Sequence, residues 1–204
     1  MKALAAFATS IAVLTVAILA GCSDDDPAKP SPPKEKLGTP GAVLEQLERS
    51  YNERSVALYD SIIGDQPVGF VFWFSDDDVQ AGEVPPSWGR NDEVASAAHL
   101  FTSEQVTSIG LALTYGPSYP DTTAGHEGRR IIDVTDVDLN VVFDGEDPIS
   151  YRVLGDRARF SFYAHWVDAQ GDSIWRIAEW RDLGYAGGKR VPRETWGRLK
   201  SLFR

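Results

Sequence analysis

The chain has 204 residues, with 20 Lys+Arg against 30 Asp+Glu, a net charge of −10, and 43% hydrophobic residues. That length suits one or two domains, and the composition is globular, so wholesale disorder and collagen are excluded. The acidic balance argues against nucleic-acid binding, which needs a surplus of Lys and Arg on one face; a single cysteine closes no internal disulfide and excludes cysteine-rich zinc sites.

Residues 1–22 read MKALAAFATSIAVLTVAILAGC. Lys2 forms a short positive region, and Ala3 to Ala20 is uncharged. Such a stretch nearly spans a bilayer, so a retained helix has to be weighed against a cleaved signal. The ending Leu19-Ala20-Gly21-Cys22 resembles the lipobox of bacterial lipoproteins. That resemblance implies a signal peptide over 1–21, palmitate-like acylation of Cys22 and a membrane partner through it. One acyl chain anchors only marginally, at about 0.8 kcal/mol per buried methylene, whereas two or three anchor firmly. Ser23, where an Asp would imply inner-membrane retention, favours the outer membrane of a bacterial cell envelope.

Residues 22–39 form a Pro-rich linker, with four prolines between positions 27 and 33. It buries too little apolar surface to fold and is expected to be a disordered, extended spacer of about 3.1 Å per residue. A domain is expected over 40–204.

Thr39 and Pro40 start a helix whose Val43, Leu44, Leu47 and Tyr51 share one face. Ser55 caps a second helix with Leu58, Tyr59, Ile62 and Ile63. Val68 to Phe74 (VGFVFWF) reads as a strand buried on both faces. A loop with Asp76-Asp77-Asp78 and Pro85-Pro86 follows. Asn91 then caps a third helix, with Asp92 and Glu93 in its first turn, where the helix dipole favours negative charge. Strands are expected over Thr107–Tyr115, Ile131–Phe143, Tyr151 or Ala158 to Val167, and Ser173–Asp182, with a hairpin turn at Asp168-Ala169-Gln170-Gly171. Pro192–Arg204 closes the chain as a short helix with Trp196, Leu199 and Phe203. Helices first and antiparallel strands afterwards make an α+β domain.

The segments AVLEQLERSYNERSVALYDSII, VGFVFWF and FSFYAHWVDAQGDSIWRIAEWRD resemble the NTF2-like (SnoaL-like) superfamily over about Thr39 to Arg204. The resemblance implies helices packed into a strongly curved antiparallel sheet, a cone whose hollow forms a pocket. Family members often carry Asp where this chain has Ser55. Cones of this superfamily often dimerise through the open sheet face, which implies a homodimer.

Within such a pocket, Tyr51, Tyr59, Trp73 and Trp180 are the ligand-binding candidates, for a small apolar or aromatic ligand. His165 and Asp182 are the catalytic candidates. On a strand, however, Ser161, Tyr163 and His165 share the face opposite Phe160, Phe162 and Trp166, which puts His165 on the outside. Metal binding is not expected: His126-Glu127 begins an H-E-x-x-H pattern that Arg130 breaks, and Asp136-x-Asp138-x-Asn140 lacks the glycine of a calcium loop. No Walker loop, dinucleotide fingerprint or G-x-S-x-G occurs, so no cofactor is expected. The preferred expectation is a lipid-anchored, non-catalytic module binding a ligand or protein of the envelope. The alternatives are a pocket enzyme with general acid–base chemistry, isomerase- or dehydratase-like, and a structural protein dimerising through its sheet.

Overall fold

The computed structural model describes residues 37–145, 149–167, 173–185 and 195–204, all within one compact unit, Glu35–Arg204. The expected signal peptide, Cys22, most of the linker and the Asp168–Gly171 turn lie outside the described residues.

Helix α1 (Pro40–Asn52) begins where expected. Thr39 is its N-cap, the Thr39 hydroxyl accepting from Ala42 N–H, and Pro40 occupies the first turn, where its missing N–H costs nothing. Helix α2 (Val56–Ile62) is likewise capped by Ser55, which accepts from Leu58 N–H. Between them stands Arg54, with φ 53°. The left-handed backbone of a non-glycine residue is costly. Here its guanidinium donates to the carbonyls of Phe101, Ser103 and Val106 at 2.7–2.8 Å, which ties the helix pair to the end of a later helix.

Strand β1 (Val71–Trp73) is shorter than expected and buried on one face only. Phe70, Phe72 and Phe74 point into the core, while Trp73 is 37% exposed. The acidic triplet is not a loop: Asp76–Gln80 is a short helix, α3, capped by Ser75. A strand that the sequence did not signal, β2 (Ser87–Gly89), pairs with β1. It leads into α4 (Arg90–Thr102), whose N-cap is Gly89 rather than Asn91. The expected strands follow as β3 (Val106–Tyr115), β5 (Arg130–Phe143), β6 (Ile149–Val167) and β7 (Ser173–Tyr185), with a two-residue β4 (Tyr119–Pro120) beside β5. Helix α5 (Trp196–Ser201) falls inside the expected closing helix.

The seven strands form one sheet of order β2-β1-β7-β6-β5-β3, with β4 attached to β5. This corrects the expected cone in two respects. First, β1 runs parallel to β7, so the sheet is mixed rather than antiparallel. Second, the sheet is open and not strongly curled, with β2 and β3 as separate edges. The α+β architecture itself stands. The edge strand β2 has only three residues, pairs with β1 and has no register with β3, so no ladder closes the sheet.

One face of the sheet builds the core. Val137, Leu139 and Val141 of β5 are fully buried, as their alternation requires. Facing outward, Asp138 pairs with Arg152 at 2.9 Å and Asp133 with Arg159 at 2.6 Å across β5 and β6. Gly64 shows how closely α2 meets the sheet: a Cβ there would lie 2.6 Å from the carbonyl oxygens of Gly69 and Ile177.

Candidate functional site

On the core side of the sheet, four helices and three strands bring polar groups together among rings. Glu93, in the first turn of its helix as expected, is fully buried. Its Oε1 accepts from the Tyr59 hydroxyl and from Lys200 Nζ. Its Oε2 accepts from Trp88 Nε1–H at 2.7 Å. Lys200 Nζ lies 3.3 Å from the Trp180 ring centre and 4.3 Å from that of Phe72. Trp196 meets Trp180 edge-on at 4.3 Å, and its Nε1–H donates to the Tyr51 hydroxyl at 3.1 Å. Burial, and then the Glu93 charge, push the Tyr51 and Tyr59 phenols well up, so both remain neutral. Burial lowers the Lys200 ammonium to about 8, against the pull of Glu93.

Asp182 stands at the edge of this cluster. Its Oδ1 accepts from Gly184 N–H at 2.9 Å and its Oδ2 from Gly197 N–H at 2.8 Å. Burial raises its carboxyl to about 6; those two N–H groups oppose the shift and the charge of Asp78 adds to it. A cavity of about 520 Å³ opens onto Asp182. Trp73, Phe74, Pro86, Leu183 and Tyr185 give it apolar walls, and Asp76, Asp77 and Arg181 give it charge. The Arg181 guanidinium sits 5.2 Å from the Trp73 ring centre, a cation–π arrangement. A concave site bordered by a titratable group of shifted pKa is a candidate small-molecule site.

The outer face holds two further clusters. His126 Nδ1 lies 2.8 Å from Asp121 and its Nε2 3.3 Å from Glu179, with Arg129 also on Glu179 at 3.2 Å. Burial raises the Asp121 carboxyl, but its bonds from Thr123 and His126 win and bring it to about 2. His165 Nδ1 lies 3.2 Å from Asp65, which Arg176 also holds at 2.6 Å. Among the described residues, no group of three or more His, Cys, Asp or Glu is placed to hold a metal.

The structure therefore separates the sequence candidates. Trp73 and Asp182 line one cavity. Tyr51, Tyr59 and Trp180 are 0–1% exposed and packed ring to ring behind it. His165 is on the other side of the sheet, and Cys22 lies outside the described residues. Glu93 and Lys200 were missed. Their sequence signals are those of an exposed helix start and an exposed helix end, and nothing local says that each meets the other's charge.

No family model and no curated protein matches the chain. Solved structures do. An NTF2-like superfamily protein from Salmonella enterica serovar Typhimurium is 12% identical, at TM-score 0.48, over 74% of this chain and 92% of its own. An NTF2-like protein of Rhodospirillum rubrum, described as of unknown function in nutrient uptake, is 15% identical, at TM-score 0.44, over 69% and 93%. The beta subunit of benzoate 1,2-dioxygenase from Burkholderia mallei is 15% identical, at TM-score 0.42, over 70% and 85%. These likenesses are to the NTF2-like fold, and they carry neither an activity nor a site residue to this chain.

The envelope-lipoprotein expectation is corrected at this point. Among the described residues no helix is long and apolar enough to cross a membrane. The signal-peptide, palmitate and outer-membrane assignments rested wholly on residues outside the described ones, and they are withdrawn.

Proposed function

We propose that the domain is a small-molecule enzyme of the proton-transfer type, with Asp182 as general base at the floor of the cavity of about 520 Å³. The observation that carries the reading is Asp182 itself. It is a buried carboxyl raised to about 6, in a residue that borders the cavity. A base with its pKa near the working pH combines ionisation with proton affinity. Trp73 and Tyr185 give a flat apolar ligand a surface to lie on. Arg181, which also lines the cavity and is paired with Glu179 at 3.2 Å, offers a positive charge to an oxygen that becomes negative as the proton leaves. The neutral Tyr59 and the charged Glu93–Lys200 pair lie behind and fix the electrostatic background.

The test uses a nitrobenzisoxazole. A base removes its ring C–H proton, the N–O bond breaks, and a coloured nitrophenolate with a nitrile forms. The wild-type protein is expected to accelerate this saturably, with a rate that rises as pH passes upward through about 6. Asp182→Asn is expected to lower the rate at least 100-fold, in the upper range of general-base effects, about 10²–10⁴. Asp156→Asn is the control. Asp156 also holds α5, accepting from Trp196 N–H at 3.2 Å, but it does not line the cavity, and that variant keeps the activity. Equal rates in wild type and Asp182→Asn would remove Asp182 from the reaction.

A further inference from the structure

Between β4 and β5 the chain crosses the outer face of the sheet as a strap, residues 121–129, and His126 is where the strap meets β7. The imidazole stands between two carboxylates: Nδ1 is 2.8 Å from Asp121 and Nε2 is 3.3 Å from Glu179. The three side chains are mostly withdrawn from water, with His126 22%, Asp121 3% and Glu179 16% exposed. A neutral imidazole carries one N–H and one lone pair, so it donates to only one carboxylate. The imidazolium donates to both. One bond of this clasp therefore exists in the protonated state alone, and in the neutral state a lone pair faces a carboxylate in its place.

The distances say which contact yields. The bond to Asp121 is the shorter, and Asp121 also accepts from Thr123 N–H at 3.0 Å and from Ser161 Oγ at 3.3 Å. Its carboxyl, at about 2, is ionised throughout the range in which histidine titrates. Neutral His126 keeps its proton on Nδ1 for Asp121 and gives up Glu179. Glu179 retains Arg129 of the strap and Arg181 of β7, each at 3.2 Å. Of the other charges near the imidazole, Glu127 is an exposed neighbour on the strap itself, and Arg159 of β6 is engaged by Asp133 of β5 at 2.6 Å. The ends of the strap stay fixed by Arg129 and by the bond from Asp121 N–H to the Arg129 carbonyl at 3.0 Å. Its middle, residues 122–128, is the part that His126 alone ties to β7. A cavity of about 180 Å³ lies between strap and sheet, with Thr123 and His126 on one side and Ile131, Ser161, Arg159 and Arg181 on the other.

We propose that His126 is a proton-operated clasp on this cavity. As the imidazolium it pins the strap to Glu179 and holds the cavity covered; as the neutral ring it releases Glu179, and residues 122–128 lift. The cavity is thus closed at a pH below the titration of His126 and open above it. The device makes no use of Asp182 and is tested by different measurements.

The experiment follows hydrogen exchange of the Thr123, His126 and Arg129 amides, whose N–H groups are bonded within the strap, at about pH 5 and pH 8, the span over which histidine changes charge. Each rate is divided by the rate of an unstructured peptide at the same pH. Protection in the full-length wild-type chain is expected to fall about tenfold from the lower pH to the higher, the scale of one charge-assisted hydrogen bond. His126→Gln, which cannot take up a proton, is expected to show the lower protection at both pH values, and His165→Gln to keep the wild-type response. Nitrogen-15 NMR of the imidazole is expected to show the neutral ring protonated on Nδ1. Equal protection at the two pH values in wild type, or a pH response that survives in His126→Gln, would overturn the clasp. A neutral ring protonated on Nε2 would overturn the release of Glu179.

Discussion

Asp182 illustrates how a single side chain serves two demands. Its two oxygens tie the end of β7 and the start of α5 together, yet its burial holds the proton on unusually tightly. In the unfolded chain the group titrates near 3.9. The folded value of about 6 is higher, so Asp182 stabilises the fold fully below about pH 4, and that contribution is lost as pH rises through 6. The difference of about two units corresponds to about 3 kcal/mol. Lys200 acts in another window. Its folded value, about 8, is below the unfolded value near 10.4, so its effect is to raise stability as pH climbs from 8 to 10. Urea unfolding of wild type is therefore expected to show falling stability between pH 4 and 6, and Asp182→Asn is expected to flatten that limb. An unchanged limb in the variant would mean that the slope belongs to other carboxyls.

At the scale of elements, α5 is short but heavily committed. Only six residues long, it buries Trp196, Leu199 and Lys200. An isolated helix of that length is not stable in water, so tertiary contacts decide its existence. Thr195 caps it and donates to Asp78 at 2.6 Å, Trp196 N–H and Gly197 N–H go to Asp156 and Asp182, and Ser96 donates to the Lys200 carbonyl at 2.7 Å. Trp196→Ala is expected to cost about 3–5 kcal/mol, the usual range for deleting a buried large aromatic ring. Thr39→Ala, which removes only the α1 cap, is expected to cost about 1 kcal/mol. Chemical denaturation of the two variants checks the contrast. Comparable losses would show that α5 is not part of the core. Helix α1 was legible because its cap and stripe are local. Strand β2 was not, because Ser87-Trp88-Gly89 becomes a strand only by pairing with β1.

At the scale of the domain, one hydrophobic cluster joins α1, α2, α4 and α5 to both ends of the sheet, from Phe72 and Trp88 to Val106 and Ile109. A core that links every layer favours all-or-none unfolding. For residues 35–204, far-ultraviolet dichroism and tryptophan fluorescence are therefore expected to give coincident denaturation curves. Separate midpoints would divide the domain into independently unfolding parts. The outer face adds little to this cooperativity. Arg152–Asp138 and Arg159–Asp133 are half-exposed pairs, and such pairs contribute about 0–1 kcal/mol each.

The sequence by itself determined the α1 and α2 caps, the alternation of β5 and the order of helices before strands, because each depends on neighbours within a few residues. It also marked Trp73 and Asp182, without showing that they share a cavity. Tertiary structure decided the rest. β1 pairs parallel with β7, and the sheet ends at β2 and β3 rather than closing into a cone. The meeting of Glu93 with Lys200 spans 107 positions. Charge reads as exposed when only local sequence is considered, and only the packed interior shows where a carboxylate and an ammonium have left water together.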